Sequence, residues 1–125
     1  MKIKLRKTDT LFSKLIRQRD NYTCQRCRKE YPDGGRGLHT SHYWGRSREN
    51  TRHDTENCIA LCFGCHRIWG HGDGRDEYSS FMRKRLGDKG FDLLMVRAYT
   101  YKKRDDKLDE IVIKELLKEG KNDKS

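Results

Sequence analysis

Residues 38–71, LHTSHYWGRSRENTRHDTENCIALCFGCHRIWGH, decide the fold. LHTSHY at 38–43 is short and rich in residues that tolerate an extended backbone, and CIAL at 58–61 is a second short apolar strand beyond a polar connection. HRIW at 66–69 starts a helix that Gly70, Gly72 and Gly74 limit to a turn or two. The order is strand, strand, helix.

One pair of cysteines precedes this stretch and another lies within it. Cys24 and Cys27 form one C-x-x-C pair and Cys62 and Cys65 another, the spacing at which two tight turns present four thiolates tetrahedrally to zinc. Redox C-x-x-C motifs usually occur singly after a strand in a βαβ pattern, which is not the pattern here. Five cysteines are an odd number and no secretory signal is visible, so a disulfide scaffold is not expected. Cys58 reads as a small buried hydrophobe outside the cluster.

Moving toward the N-terminus, Leu11, Phe12, Leu15 and Ile16 form a helical stripe, with Thr8, Asp9 or Thr10 as N-cap, that runs out near Asp20 and Asn21. Pro32, Gly34, Gly35 and Gly37 mark a loop after the first cysteine turn. Toward the C-terminus, Tyr78, Phe81, Met82 and Leu86 predict a helix ended by Gly87, while Phe91, Leu94, Met95 and Ala98 give a second stripe. Leu108, Ile111, Val112 and Leu116 give a third that ends at Gly120. All three are read as core or docking surfaces. The expected class is α+β: a zinc-stapled core with its N-terminal helix over residues 1–75, a helical extension over 76–120 packed on it within a single domain, and a disordered tail at 121–125.

Composition narrows the partners. With 125 residues, 33% hydrophobic against 38% charged, there is one small core that needs a staple. Lys and Arg number 29 against 19 Asp and Glu, and the net charge of +10 favours a polyanion, with nucleic acid foremost. No apolar run approaches the roughly 20 residues that span a bilayer, and residues 1–7 are basic with no apolar stretch behind them. The expectation is a cytoplasmic protein with nucleic acid and no membrane as partner, with monomer and homodimer both open.

Phosphodiester hydrolysis needs a base to activate water, a divalent cation to neutralise charge on the phosphate, and a group that holds the base in orientation. His42, His66 and Asn57 can fill those roles. A histidine near its ordinary pKa of about 6.5 accepts a proton at neutral pH.

At this point the sequence resembles the HNH, or ββα-metal, endonucleases. The strand HTSHYWGR, the connection and strand TRHDTENCIALC, and the helix start CFGCHRIW carry the resemblance, flanked by paired cysteines as in the zinc-containing subset. It implies His42 as general base, Asn57 as its orienting partner and His66 as ligand of a catalytic magnesium or manganese ion. Cys24, Cys27, Cys62 and Cys65 then hold a separate structural zinc, and a 5′-phosphate product is implied. The leading helix, S-H-Y, T-R-x-D and the helical extension are similar to phage NinG-type recombination endonucleases over roughly residues 8–105. That likeness implies branched or recombination-intermediate DNA and a phage protein acting in a bacterial host cell.

One departure matters. Many members of the family place Asp or His immediately before the base, and here that residue is Ser41. His39, His71 and Asp73 are in reach by sequence to complete the ligand set. His39 shares a strand face with Ser41, whereas glycines around His71 let the chain bend, which favours His71. Arg46, Arg48 and Arg52 read as a phosphate clamp or as a solvated charge run, with Arg52 nearest the scissile phosphate. Lys2, Lys4, Arg6 and Lys7 are placed to track the backbone further out, and Tyr43 or Trp44 either stacks on an unpaired base or packs in the core. The alternative function is a non-catalytic zinc module that only binds nucleic acid.

Overall fold

A computed structural model describes residues 3–71 and 73–123, leaving aside the side chains of 122 and 123. Its elements are α1 (Lys7–Arg19), β1 (Leu38–His42), a single turn α2 (Glu49–Arg52), a 3-10 turn (Thr55–Asn57), β2 (Cys58–Cys62), α3 (Phe63–Gly70), α4 (Gly74–Ala98) and α5 (Asp106–Asp123). β1 and β2 pair antiparallel, Leu38 opposite Cys62 and His42 opposite Cys58, and α3 leaves β2 without an intervening residue. This is the ββα arrangement of an α+β fold, flanked by helices on both sides in sequence.

β2 is the interior strand of the molecule although it belongs to a two-stranded sheet. Ile59, Ala60 and Leu61 are all fully buried, a continuous apolar run of the kind found in strands covered on both faces. Phe12 and Ile16 of α1 and Tyr78, Met82 and Leu94 of α4 join the same cluster. Cys58 lies in it too, completely buried, and burial pushes its thiol well above the ordinary range. β1 keeps one edge open, and its residues divide between neighbours: Thr40 Oγ1 meets Ser13 Oγ of α1 at 2.8 Å, while Ser41 Oγ meets the Tyr78 hydroxyl of α4 at 2.8 Å.

Helix boundaries depart from the sequence reading for local reasons. α1 begins earlier than its apolar stripe, with Arg6 at the N-cap, because Asp9 sits three residues in and accepts the Arg6 backbone N–H at 2.8 Å. Thr8, Asp9 and Thr10 are therefore helical. Gly87 does interrupt the helix after Tyr78, Met82 and Leu86: its φ of 78° lies in a region that side chains avoid, and a Cβ there would meet nothing, so the constraint is conformational. α4 resumes beyond it to Ala98.

The third stripe divides, with Leu116 alone of its four residues turned to the core. Leu108, Ile111 and Val112 are exposed, and α5 packs on α1 through Ile113, Leu116 and Leu117 with Asp109 one turn earlier. Positions 109, 113, 116 and 117 obey the helical period as well as the exposed set does, so α5 is apolar on more than one side. Gly120 does not end it, since the helix runs on to Asp123 and the glycine makes room for the Gln18 side chain of α1. Of the tail expected at 121–125, residues 121–123 are the last turn of α5, and residues 124 and 125 lie outside the described residues, as do Lys2 and Gly72. No helix among the described residues is long and apolar enough to cross a membrane.

Candidate active site and metal centre

The first cysteine turn closes through an isolated bridge between Thr23 and Glu30, and the second spans the junction of β2 and α3. Their four sulfurs, from Cys24, Cys27, Cys62 and Cys65, lie within 4.8 Å of one another. Sulfurs placed tetrahedrally about 2.3 Å from one ion stand about 3.8 Å apart, and Cys27 Sγ and Cys62 Sγ are separated by 3.9 Å. Burial raises the Cys24 pKa, but backbone N–H groups of Cys62, Cys27 and Arg26 donate to its sulfur and bring it down to about 7. Arg26 also approaches Cys65 Sγ, at 3.5 Å. Donor chemistry, spacing and charge all suit a metal cluster that ties the N-terminal turn to the hairpin and helix.

Beside that cluster, along the open edge of β1, runs a cleft of about 520 Å³. It is lined by His39 and His42 of β1, His66 of α3, Arg46 of the connection and Ser13 and Arg17 of α1. The two imidazoles singled out by the sequence therefore share one space. Three more residues join them without any sequence signal strong enough to place them: Arg17, which donates to Ser13 Oγ at 2.9 Å, Ser13 itself, and Thr40.

His42 is held by a backbone carbonyl. Its Nε2 lies 2.9 Å from the Arg52 oxygen, and since a carbonyl only accepts, Nε2 carries the hydrogen and Nδ1 keeps its lone pair. Burial lowers the His42 pKa to about 4, with the Arg52 carbonyl opposing and the Arg46 charge assisting. The ring is thus neutral at physiological pH. His66 is also shifted down, first by burial and then by the neighbouring imidazoles of His39 and His71.

Asn57 acts at one remove from His42. Fully buried, it accepts the Trp44 N–H at 2.9 Å through Oδ1 and donates from Nδ2 to the carbonyls of Trp44 (2.9 Å) and Thr51 (3.0 Å). Those bonds pin the end of β1 to the turn that carries the Arg52 carbonyl. The amide thus bonds to the backbone of the segment whose Arg52 carbonyl accepts from the His42 ring.

Arg52 and Arg48 depart from the phosphate clamp. The Arg52 side chain is 3% exposed and donates to both Asp9 oxygens, at 2.9 and 2.5 Å, and to the carbonyls of Arg46 (3.1 Å) and Lys4 (3.0 Å). Asp9 accepts in addition from the Arg6 backbone and faces His53, and together these partners outweigh burial to hold its carboxyl far below the usual range. Removing one partner of a buried ion pair strands the other, so Arg52→Ala should lower unfolding stability by about 3 kcal/mol. Denaturant melts would show it as a lower midpoint, and an unchanged midpoint would mean that the pair is not a structural lock. Arg48 lies over the Tyr99 ring at 4.2 Å and reaches the Ala98 carbonyl at 3.4 Å, docking α4. Only Arg46 of the three lines the cleft.

The remaining expectations sort by burial. Tyr43 is buried under Arg75, and Trp44 packs against Tyr99, so both rings take the packing role. Arg6 pairs with Glu49 at 2.8 Å and Lys7 with Glu110 at 2.7 Å. His71, favoured as the completing metal ligand, is exposed beyond α3 and lines a separate hollow with Gly64, Arg67 and Ile68. His39 is the residue set beside His66, with ring centroids 5.4 Å apart.

Residues 24–72 match the family model described as HNH endonuclease. That segment contains both cysteine pairs, β1, β2 and α3, and the match supports a nuclease core of this kind for it. No curated protein and no solved structure matches the chain.

Proposed function

We propose that this chain is a metal-dependent DNA endonuclease in which His42 is the general base. The observation that carries this reading is the tautomer of His42: Nε2 is committed to the Arg52 carbonyl, which leaves a neutral Nδ1 as proton acceptor in a cleft shared with His66 and Arg46. His42 takes the proton of the attacking water, Asn57 and the Arg52 carbonyl keep its ring from turning, and Arg46 and Arg17 bind phosphate oxygens. His66 would hold a divalent cation, which when bound would neutralise charge at the phosphate and the leaving oxygen. The four cysteines hold a structural zinc, which fixes β2 and α3 and so the position of His66.

The substrate we propose is branched or recombination-intermediate DNA in a phage or prophage setting. It rests on the likeness to NinG-type enzymes and on binding that reads charge and shape more than bases. The core of residues 1–75 and the extension of 76–120 act as one domain, because α5 lies along α1 and Asp109 reaches His53.

The test is cleavage of labelled flap, four-way and linear duplexes with and without divalent ions. Cutting that needs the ion supports the enzyme, and binding without cutting under any ion favours a non-catalytic zinc module. The base also sets a pH profile. Nδ1 accepts a proton only near pH 4, so the neutral, competent ring persists as pH falls from about 8 to about 6 and is lost below about 5. Single-turnover rates should be flat through the upper window. An acid limb centred near the ordinary histidine value of about 6.5 would contradict the assignment.

A further inference from the structure

The nature of the cleft cation is written in the donors that face it. We propose that His39 and His66 are paired imidazole ligands of one ion, and that this pair selects a first-row transition ion over magnesium. The inference rests on the nuclease reading of the cleft and adds to it the ligand set and the class of metal.

Spacing comes first. Two imidazoles bound about 2.1 Å from one ion, at angles common in such sites, have ring centroids about 5 Å apart. The centroids of His39 and His66 are 5.4 Å apart. They come from an open strand edge and from the helix that follows β2, so both rings reach the cleft from its walls.

The position before the base offers nothing. Ser41 is 2% exposed, and its hydroxyl is engaged by the Tyr78 hydroxyl at 2.8 Å. Carboxylates offer nothing either. Asp9 is the one acidic residue among those that line the cleft, and its oxygens are taken by Arg52, by the Arg6 backbone and by His53. The other polar residues that line the space are His39, His42 and His66, Arg17 and Arg46, and Ser13 and Thr40, whose hydroxyls bond to each other at 2.8 Å. Magnesium sheds water reluctantly and is bound through carboxylates and phosphate. Imidazole suits zinc, copper, iron and nickel, and affinity for nitrogen donors rises from manganese through cobalt and nickel.

The test uses the untagged, zinc-loaded full chain with ¹⁵N-labelled histidine. Mn²⁺ should broaden the ring signals of His39 and His66 at the lowest additions, ahead of His71, and calorimetry should give tighter binding for Co²⁺ and Mn²⁺ than for Mg²⁺. His39→Gln and His66→Gln should each weaken Mn²⁺ binding by about tenfold or more, with His71→Gln unchanged and all three melting like the parent. Parental Mn²⁺ affinity in His39→Gln, loss in His71→Gln, or equal affinity for Mg²⁺ would overturn the proposal. Failure of the nuclease reading looks different: Mn²⁺ held by His39 and His66 with no cleavage of any DNA supports the ligand pair and removes only the activity.

Discussion

His42→Ala should lose cleavage by about 100-fold to 10,000-fold, the range that a positioned general base contributes, while binding branched DNA as tightly as the parent. The side chain faces the cleft and touches the Phe12 ring at 6.3 Å between centroids, so its removal leaves a small cavity beside α1 and does not disturb the four-sulfur cluster. A modest fall in melting temperature is therefore compatible with the assignment. The discriminating quantity is the ratio of single-turnover rate to binding constant. His42→Asn keeps a hydrogen-bonding group near the Arg52 carbonyl but offers no basic nitrogen, and it should be as inactive as the alanine variant. Activity within a few-fold of the parent in either variant would remove His42 from the chemistry.

The second large effect is on folding. Stripping the metal with a chelator, or replacing Cys62 with serine, should unfold the region around β1, β2 and α3. Structural zinc binding is worth about 10 to 16 kcal/mol in small peptides at neutral pH, which matches or exceeds the roughly 5 to 15 kcal/mol by which domains are stable. Here the cluster joins the turn at 24–27 to the β2–α3 junction, and the other links of that turn are single contacts: Gln25 N–H donates to the Ala60 carbonyl at 2.9 Å, Arg26 lies over the Trp69 ring at 5.8 Å and Arg26 reaches Glu77 of α4 at 2.8 Å. Cys62 is also the residue from which α3 departs, so its loss frees the helix that carries His66. Circular dichroism and hydrogen exchange on the metal-free protein check this. Near-native melting after complete removal would show that the apolar cluster of Phe12, Ile16, Ile59, Leu61, Tyr78 and Met82 suffices.

The parts of this fold that are legible in sequence are those encoded within a few residues. Two C-x-x-C turns, two short strands and the Gly87 break each follow from spacing or from one residue's backbone freedom. The shared cleft of His42 and His66 follows in turn, because a strand, a connection and a helix in that order allow little else. Long-range couplings are not legible. Arg52 pairs with Asp9 across 43 positions, and nothing beside Arg52 distinguishes it from Arg46, which does line the cleft. Which of His39 and His71 lies beside His66 depends on how α3 packs against β1, a tertiary fact. α5 misleads because Leu108, Ile111 and Val112 are as periodic as Ile113, Leu116 and Leu117, and only α1 decides which side is covered.

The most direct measurement is a crystal structure of His42→Ala bound to a branched duplex with Mn²⁺, with anomalous scattering used to locate the ion. A manganese peak is expected against His66 in the cleft along β1, with a backbone phosphate beside it within reach of Arg46 and the position vacated by the imidazole facing that phosphorus. DNA lying on another surface, or a cleft that holds neither ion nor phosphate, would contradict this placement.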